Sequence, residues 1–408
     1  MARSPLQTRG FRQSRRGKIR AAVSPRMGIR PPEQDHNELK EFEMTRTATD
    51  QSLGELEIVH LFHGAMPTGV SVSRTGRIFV NFPRWGDEVG FTVAEIRDGE
   101  LVAYPSQAFN DCNGAADPDA LVSVQSIVVD PADRLWILDT GSPMFEPTSP
   151  GGPKLVRIDL DRDEVAQTIV FPSDVALSTT YLNDVRFDLR RGRAGAAFIT
   201  DSSDQGRNGL IVVDLATGQS WRRLDDHPST KGQAPPELRM IVEGRQFLHR
   251  GTDGSTSALT IGSDGIAISA DGERLYYCAL SSRRWWSVSV EALLDRDLDD
   301  SAVAATVIDE GDKGSAGDGM ETDAAGRLYV TDGEHNAIHR RLADGTWETV
   351  VHDERLLWPD TLSVAADKYL YVTANQFYRQ AMFRGTDERR KPYVLFRTRI
   401  GAGPVELR

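Results

Sequence analysis

Only two cysteines, Cys112 and Cys278, occur in 408 residues. That number excludes a disulfide framework and a thiolate metal cluster, leaving at most one bridge, and it fits a reducing, cytoplasmic location. Cys278 lies in the strand-like run "LYYCAL", where a thiol is expected to be a buried apolar filler. No run approaches the roughly 18 apolar residues of a membrane-spanning helix. Gly-rich phosphate loops, a nucleophile elbow and a Cys-His arrangement are all lacking, which moves nucleotide binding and serine-hydrolase chemistry out of the front rank. Positive charge is scarce outside the first 30 residues. Those carry eight arginines and Lys18 without an acid, so a chain of net charge −12 leaves about −21 on the remainder. Such an acidic body disfavours nucleic acid and anionic membranes as partners and suits a small cationic ligand or a metal ion.

The basic leader has no apolar core after "SRRGKIR", which argues against a secretory signal. No structural period precedes Leu53, so residues 1–52 are expected to form a disordered tail, with Met44 as a second candidate start. Nothing in the composition specifies an oligomer, and a monomer is the default.

What the chain does contain is repetition. Six segments begin at Thr68, Gln125, Asn183, Asp264, Asp318 and Asp360, and each reads as a strand, a turn rich in Asp and Gly, and a second strand. The second strand of each carries an aromatic core residue: Phe79, Trp136, Phe198, Tyr276, Tyr329 and Tyr371. Most of the intervals hold a further hairpin, making about four strands per unit. Six such units over residues 53–402 predict an all-β fold, a six-bladed β-propeller of four-stranded antiparallel blades around a central channel. A tandem of β-sandwiches is the rival, but it gives no reason for a polar residue at the head of every repeat. "ELEIVHLF" at 55–62 is expected to complete the last blade. "SVSVEALLDRDLDD" at 287–300 reads as a helical interruption of blade four, and the irregular 227–263 segment as an insertion over one face.

The heads of the innermost strands converge on the channel mouth in such a fold. Here they bring three carboxylates, Asp264, Asp318 and Asp360, together with Gln125, Asn183 and Thr68. Carboxylates crowded in a concave site find relief in a proton or a cation, and an all-oxygen donor set favours Ca²⁺ over other divalent ions. The bland alternative is that these residues merely cap the local backbone. Arg84 and Trp85 in "FPRWGDEVGF" form a candidate rim platform for an anion or an aromatic ring, and Tyr181 and Trp358 are further candidate ligand contacts. The loops near Arg84 and Asn110 and the 227–263 insertion are expected to carry specificity. His335 and His339, placed four apart on one strand, would lie about 13 Å apart and form no zinc site. His60, His63, His249 and His352 are candidates for a general base.

The segments "YLNDVRFD", "SDGIAISADGERLYYCALSS", "GDGMETDAAGRLYVTDGEHNAIHRR" and "LLWPDTLSVAADKYLYVTANQFYR" resemble the yellow and major royal jelly protein family over roughly residues 55–385. The resemblance implies a six-bladed propeller. It also implies either dopachrome-type conversion or the binding of biogenic amines in the channel. A more distant resemblance is to gluconolactonase and senescence-marker propellers, whose divalent cation is held by a Glu, two Asn and an Asp. By motif, Asn183 matches one Asn, Asp264 stands for the second and Asp318 matches the Asp, whereas Thr68 replaces the Glu.

Three functions follow. In a metal-assisted lactone hydrolase, Asn183, Asp264 and Asp318 would hold the cation while Asp360 or a nearby His moved the proton. In a metal-free tautomerase of quinone-like substrates, the acids and Tyr181 would shuttle protons. The third is a non-catalytic binder of amines or aromatic compounds.

Overall fold

The computed structural model of the protein describes residues 51–111, 119–149 and 151–408. The basic leader and Cys112 lie outside these. Cys278 is a free, buried thiol, as its setting in an apolar strand requires.

The described residues form one compact unit with six four-stranded antiparallel sheets. The first blade runs Val70–Val72, Ile78–Asn81, Val93–Arg97 and Glu100–Ala103 from the axis outward. The second runs Val124–Val129, Leu135–Asp139, Lys154–Asp159 and Glu164–Val170. Blade three comprises Leu182–Asp188, Ala196–Asp201, Gly209–Asp214 and Ser220–Arg223. Blade four comprises Ser263–Ile268, Arg274–Ala279, Arg284–Ser289 and Ile308–Asp312. Blade five comprises Met320–Thr322, Leu328–Asp332, Ala337–Arg341 and Trp347–His352. In blade six, Pro359–Val364, Tyr369–Ala374 and Tyr393–Arg399 are completed by the N-terminal strand Glu57–Phe62, which pairs antiparallel with Tyr393–Arg399. The expected ring closure by residues 55–62 is therefore present.

Six clusters of buried apolar side chains weld the ring, each spanning two neighbouring blades. Burying one large apolar side chain contributes about 1.5–3 kcal/mol, and a lone blade has no partner for its two faces. Of the predicted aromatic residues, Phe79, Trp136, Phe198, Tyr329 and Tyr371 are buried in these seams. In blade four the deeply buried ring is Tyr277, while Tyr276 is half-buried on the other face against Trp285. A one-residue offset along a strand exchanges faces, which makes two adjacent tyrosines easy to misassign.

The helical interruption of blade four is two short helices, Val290–Leu294 and Asp300–Ala304, capped by the Ser289 and Asp299 side chains. The 227–263 insertion folds as two small hairpins, Ile241–Val242 with Arg245–Gln246 and Leu248–Arg250 with Thr256–Ala258.

One feature of the inner strands positions the site. In blades two, three, four and six the pairing of the first strand with the second shifts register at its head: between Val124 and Ser126, Leu182 and Val185, Ser263 and Ile266, and Pro359 and Leu362. Such bulges re-aim side chains, and the residues within them include Gln125, Asn183, Asp264 and Asp360. The strands also approach closely there. A Cβ on Gly265 would stand 2.4 Å from the Asp318 carbonyl oxygen, and one on Gly319 would stand 2.2 Å from that of Asp360, so glycine is required at both positions.

Candidate functional site

Gln125, Asn183, Asp264, Asp318 and Asp360 share the floor of one cavity of about 350 Å³ at the axial mouth. All five side chains are buried. They are linked to one another or held from behind: Asn183 Nδ2 donates to Asp264 Oδ1 at 2.8 Å, Trp358 Nε1 to Asp318 Oδ2 at 2.7 Å, and Asn375 Nδ2 to Asp360 Oδ2 at 2.6 Å. The carboxyls of Asp264 and Asp318 interact directly, which raises Asp264 and lowers Asp318.

Burial pushes all three carboxyls upward. Asp264 is driven well above the usual carboxylate range by burial first and by neighbouring Asp318 second. Asp360 is driven well up by burial and again by Asp318. For Asp318 burial also dominates, partly offset by its interactions with Asp264 and Trp358. No Lys, Arg or His forms an ion pair with any of the three among the described residues, although 34 such pairs occur elsewhere. Proton uptake is the relief that desolvation and like charge select.

The walls are aromatic. Trp85 stacks on Phe145 with centroids 5.1 Å apart and lies 5.6 Å from Phe377, whose ring is 4.9 Å from Phe383. Phe145 also meets Tyr181 at 4.9 Å. Tyr181 accepts from Trp85 Nε1 at 2.8 Å and bonds Gln125 Oε1 at 3.2 Å, and burial raises its phenol well above normal. The rim comes from loops that follow the second strand of a blade. Trp85 follows Ile78–Asn81, Phe145 follows Leu135–Asp139, Asp204 follows Ala196–Asp201, and Phe377 and Phe383 follow Tyr369–Ala374. The insertion adds His249 and Ile261. Below the floor, Arg186 plugs the channel, bonding Asp184 Oδ2 at 2.9 Å and the Met320 carbonyl at 2.6 Å.

The fold brings Gln125, Asn183, Asp264, Asp318, Asp360, Trp85 and Tyr181 together at one cavity. Three other candidates lie outside its lining. Thr68 is fully buried beside the cavity, accepting from Asn81 Nδ2 and donating to the Gln125 carbonyl, so its hydroxyl serves the backbone between blades one and two. Arg84 turns inward and donates to the carbonyls of Val122, Val89 and Asn110, so its guanidinium is a loop clamp unavailable to an anion. Trp358 is fully buried behind Asp318 and does not reach the cavity. Asn110 is likewise structural, its amide bonding the backbone of Thr92, Val93, Tyr104 and Ser106.

Among the candidate histidines His249 alone lines the cavity; His60 sits on the outermost strand of blade six. His335 and His339 are closer than a continuous strand allows, because His335 lies in the turn before Ala337–Arg341. Their rings flank one carboxylate, at 2.9 and 3.1 Å from Asp332 Oδ2. Burial would raise that carboxyl, yet the two imidazoles hold it below its ordinary range.

A hard cation would suit the donor chemistry of the floor, although part of that donor set is already engaged. One oxygen each of Asp318 and Asp360 accepts an N–H, Asn183 presents its amide nitrogen to Asp264, and Thr68 is turned away. No three His, Cys, Asp or Glu side chains among the described residues are arranged to hold a metal ion.

Solved structures with a similar fold include a gluconolactonase from Xanthomonas campestris, with TM-score 0.50 and 13% identity over 85% of this chain and 89% of that one. A calcium-binding regucalcin from Agrobacterium tumefaciens has TM-score 0.50 and 13% identity, over 85% and 95%. At such identities the likeness concerns the fold alone. In sequence, major royal jelly protein 7 of Apis mellifera is 26% identical over 211 residues, 50% of this chain and 42% of that protein. Protein yellow of Drosophila erecta is 29% identical over 244 residues, 57% and 42%. A yellow-related salivary protein of Lutzomyia longipalpis is 29% identical over 178 residues, 39% and 42%. The matched stretches thus span less than half the length of these relatives. The model of the family described as "Major royal jelly protein" matches residues 122–398, from the inner strand of blade two to the last strand of blade six, and the chain belongs to that family.

Proposed function

We propose that the cavity binds a small organic cation, an amine carried on a flat ring. The observation that carries this reading is the set of three buried carboxylates, with no ion-pair partner among the described residues, beneath an aromatic wall. A protonated amine would replace the shared proton of Asp264 and Asp318 as the source of positive charge. Trp85, Phe145 and Tyr181 would take the ring and add cation–π attraction, about 0.5–2 kcal/mol at such sites. The cavity volume lies in the range of small-molecule sites. Amine binding is also what the resemblance to the salivary members of the family implies.

Calorimetric titration with 2-phenylethylamine tests it. The amine stays charged to about pH 10, whereas Asp264, Asp318 and Asp360 lose protons as the pH rises, so affinity should climb with pH and binding should release protons to buffer. Affinity that is flat or falls with pH refutes the reading.

A second reading is proton transfer on a quinone-like ring, favoured by the directly interacting Asp264 and Asp318, one carboxyl able to give a proton while the other takes one. Turnover of a catechol-derived quinone, lost in Asp318→Asn, would support it. Metal-assisted lactone hydrolysis has the fold likeness and the acidic floor in its favour and the engagement of part of its donor set against it. Stabilisation by Ca²⁺ that a chelator reverses would restore it.

A further inference from the structure

The opposite end of the channel holds a second cavity, of about 590 Å³, with which the carboxylate floor shares no residue. Its walls are the far ends of the inner strands, largely apolar, with Val72, Ile127, Phe187, Ile268 and Leu362 among them. Residues 403–406 cross it as a strap. Ala324 N donates to the Gly403 carbonyl at 2.9 Å and Leu189 N to that of Leu407 at 2.8 Å, while Leu407 is buried between blades three and four. Arg186 lines the inner end, its side chain only 5% exposed. Its Nη1 donates to Asp184 Oδ2 and to the Val185 carbonyl, and its Nη2 to the Met320 carbonyl. Nε has no partner among the described residues, and Glu321 Oε2 stands 3.4 Å from Nη2, too far for a good hydrogen bond. The Nε and Nη2 edge of a guanidinium is the one that a carboxylate grips with two parallel bonds. A buried donor left unmade is costly, so this edge lacks an acceptor.

We infer that this lower cavity is a separate binding site for a monocarboxylate with an apolar body, whose carboxylate takes the Nε and Nη2 edge of Arg186. A single guanidinium edge answers one negative charge, and apolar walls reject a strongly hydrated dianion such as phosphate while accepting a hydrocarbon chain. The volume lies in the range of small-molecule sites. Glu321 is the one carboxyl already at that edge. Burial raises it, against the opposing pull of Arg186, and its Oε1 is held by Thr322 N at 2.9 Å, so a protonated Glu321 stands beside the ligand without repelling it. The site is independent of the amine-binding reading of the upper cavity.

Calorimetric titration with octanoate and 1-octanol, which share the apolar body and differ in the charged head, tests it. The wild type should bind octanoate at least about tenfold more tightly than the alcohol, as a hydrogen bond between charged groups supplies. Arg186→Met should remove that preference. Two further variants keep the test decisive if that one fails to fold. Glu321→Gln preserves shape and removes the competing charge, and should tighten octanoate binding by about threefold near neutral pH. Ala366→Trp adds bulk at an exposed turn on the rim of the lower cavity; it should weaken octanoate about tenfold while leaving Tm within about 2 °C. Equal binding of octanoate and octanol by the wild type overturns the role of Arg186. Octanoate affinity that falls or stays unchanged in Glu321→Gln overturns it too, and an affinity unaltered in Ala366→Trp overturns the placement in the lower cavity.

Discussion

Trp358 donates its indole N–H to Asp318 Oδ2 at 2.7 Å from a left-handed backbone conformation, φ 60°, that bulky residues seldom adopt. The ring is fully buried among Phe247, Phe377 and Tyr378. A strained, buried tryptophan is thus spent on orienting one carboxylate of the floor. Trp358→Phe keeps most of the packing but removes the donor. It should destabilise the fold by about 1–3 kcal/mol, the cost of a buried acceptor left unsatisfied, and weaken amine binding by about tenfold. Chemical denaturation and calorimetry check the two effects separately.

Asp264→Asn copies the uncharged, protonated form of that acid. The raised folded-state carboxyls of Asp264 and Asp360 bind protons that the unfolded chain has already released above its ordinary carboxylate range. The wild type should therefore be most stable at acidic pH and lose stability as the pH rises through the folded-state titration. The variant should flatten that slope and gain about 1–3 kcal/mol near neutrality, because it no longer has to take up a proton on folding. Tm measured from pH 5 to pH 8 decides; a wild type whose Tm rises steadily over that range contradicts the assignment of shared protons.

Lys154 and Asp139 form a fully buried ion pair at 3.1 Å. Asp139 also accepts from the backbone N–H groups of Val122, Ser123 and Gly141, at the root of the loop that carries Phe145. Lys154→Met strands that carboxylate and should cost about 3–5 kcal/mol, whereas exposed pairs such as Arg355 with Asp353 should cost under about 1 kcal/mol when broken. Urea unfolding of the two variants side by side provides the measurement.

The ring was legible because six repeats wrote it, each with a polar head, a hairpin turn and a β-rich second strand. The convergence of Gln125, Asn183, Asp264, Asp318 and Asp360 followed from that symmetry alone. What the repeat could not show is where single residues turn. Thr68 occupies a head position, but blade one has no register shift there, and Asn81 draws its hydroxyl into the seam between blades. Trp358 reads like a cavity aromatic until its positive φ directs it behind Asp318. Phe145, Phe377 and Phe383 lie in aperiodic segments whose lengths differ from blade to blade, so no pattern announced them. The signal that was available is positional: a loop leaving the second strand of any blade opens onto the same mouth as the inner-strand heads.

The central claim is that the buried carboxylates seek an organic cation. It is tested most directly by titrating 2-phenylethylamine and its neutral counterpart 2-phenylethanol into the wild type and Asp318→Asn at one pH near neutrality. The account predicts that the wild type binds the amine at least about tenfold more tightly than the alcohol, and that the variant loses most of that difference. Equal binding of amine and alcohol by the wild type, or an undiminished preference in the variant, would contradict it.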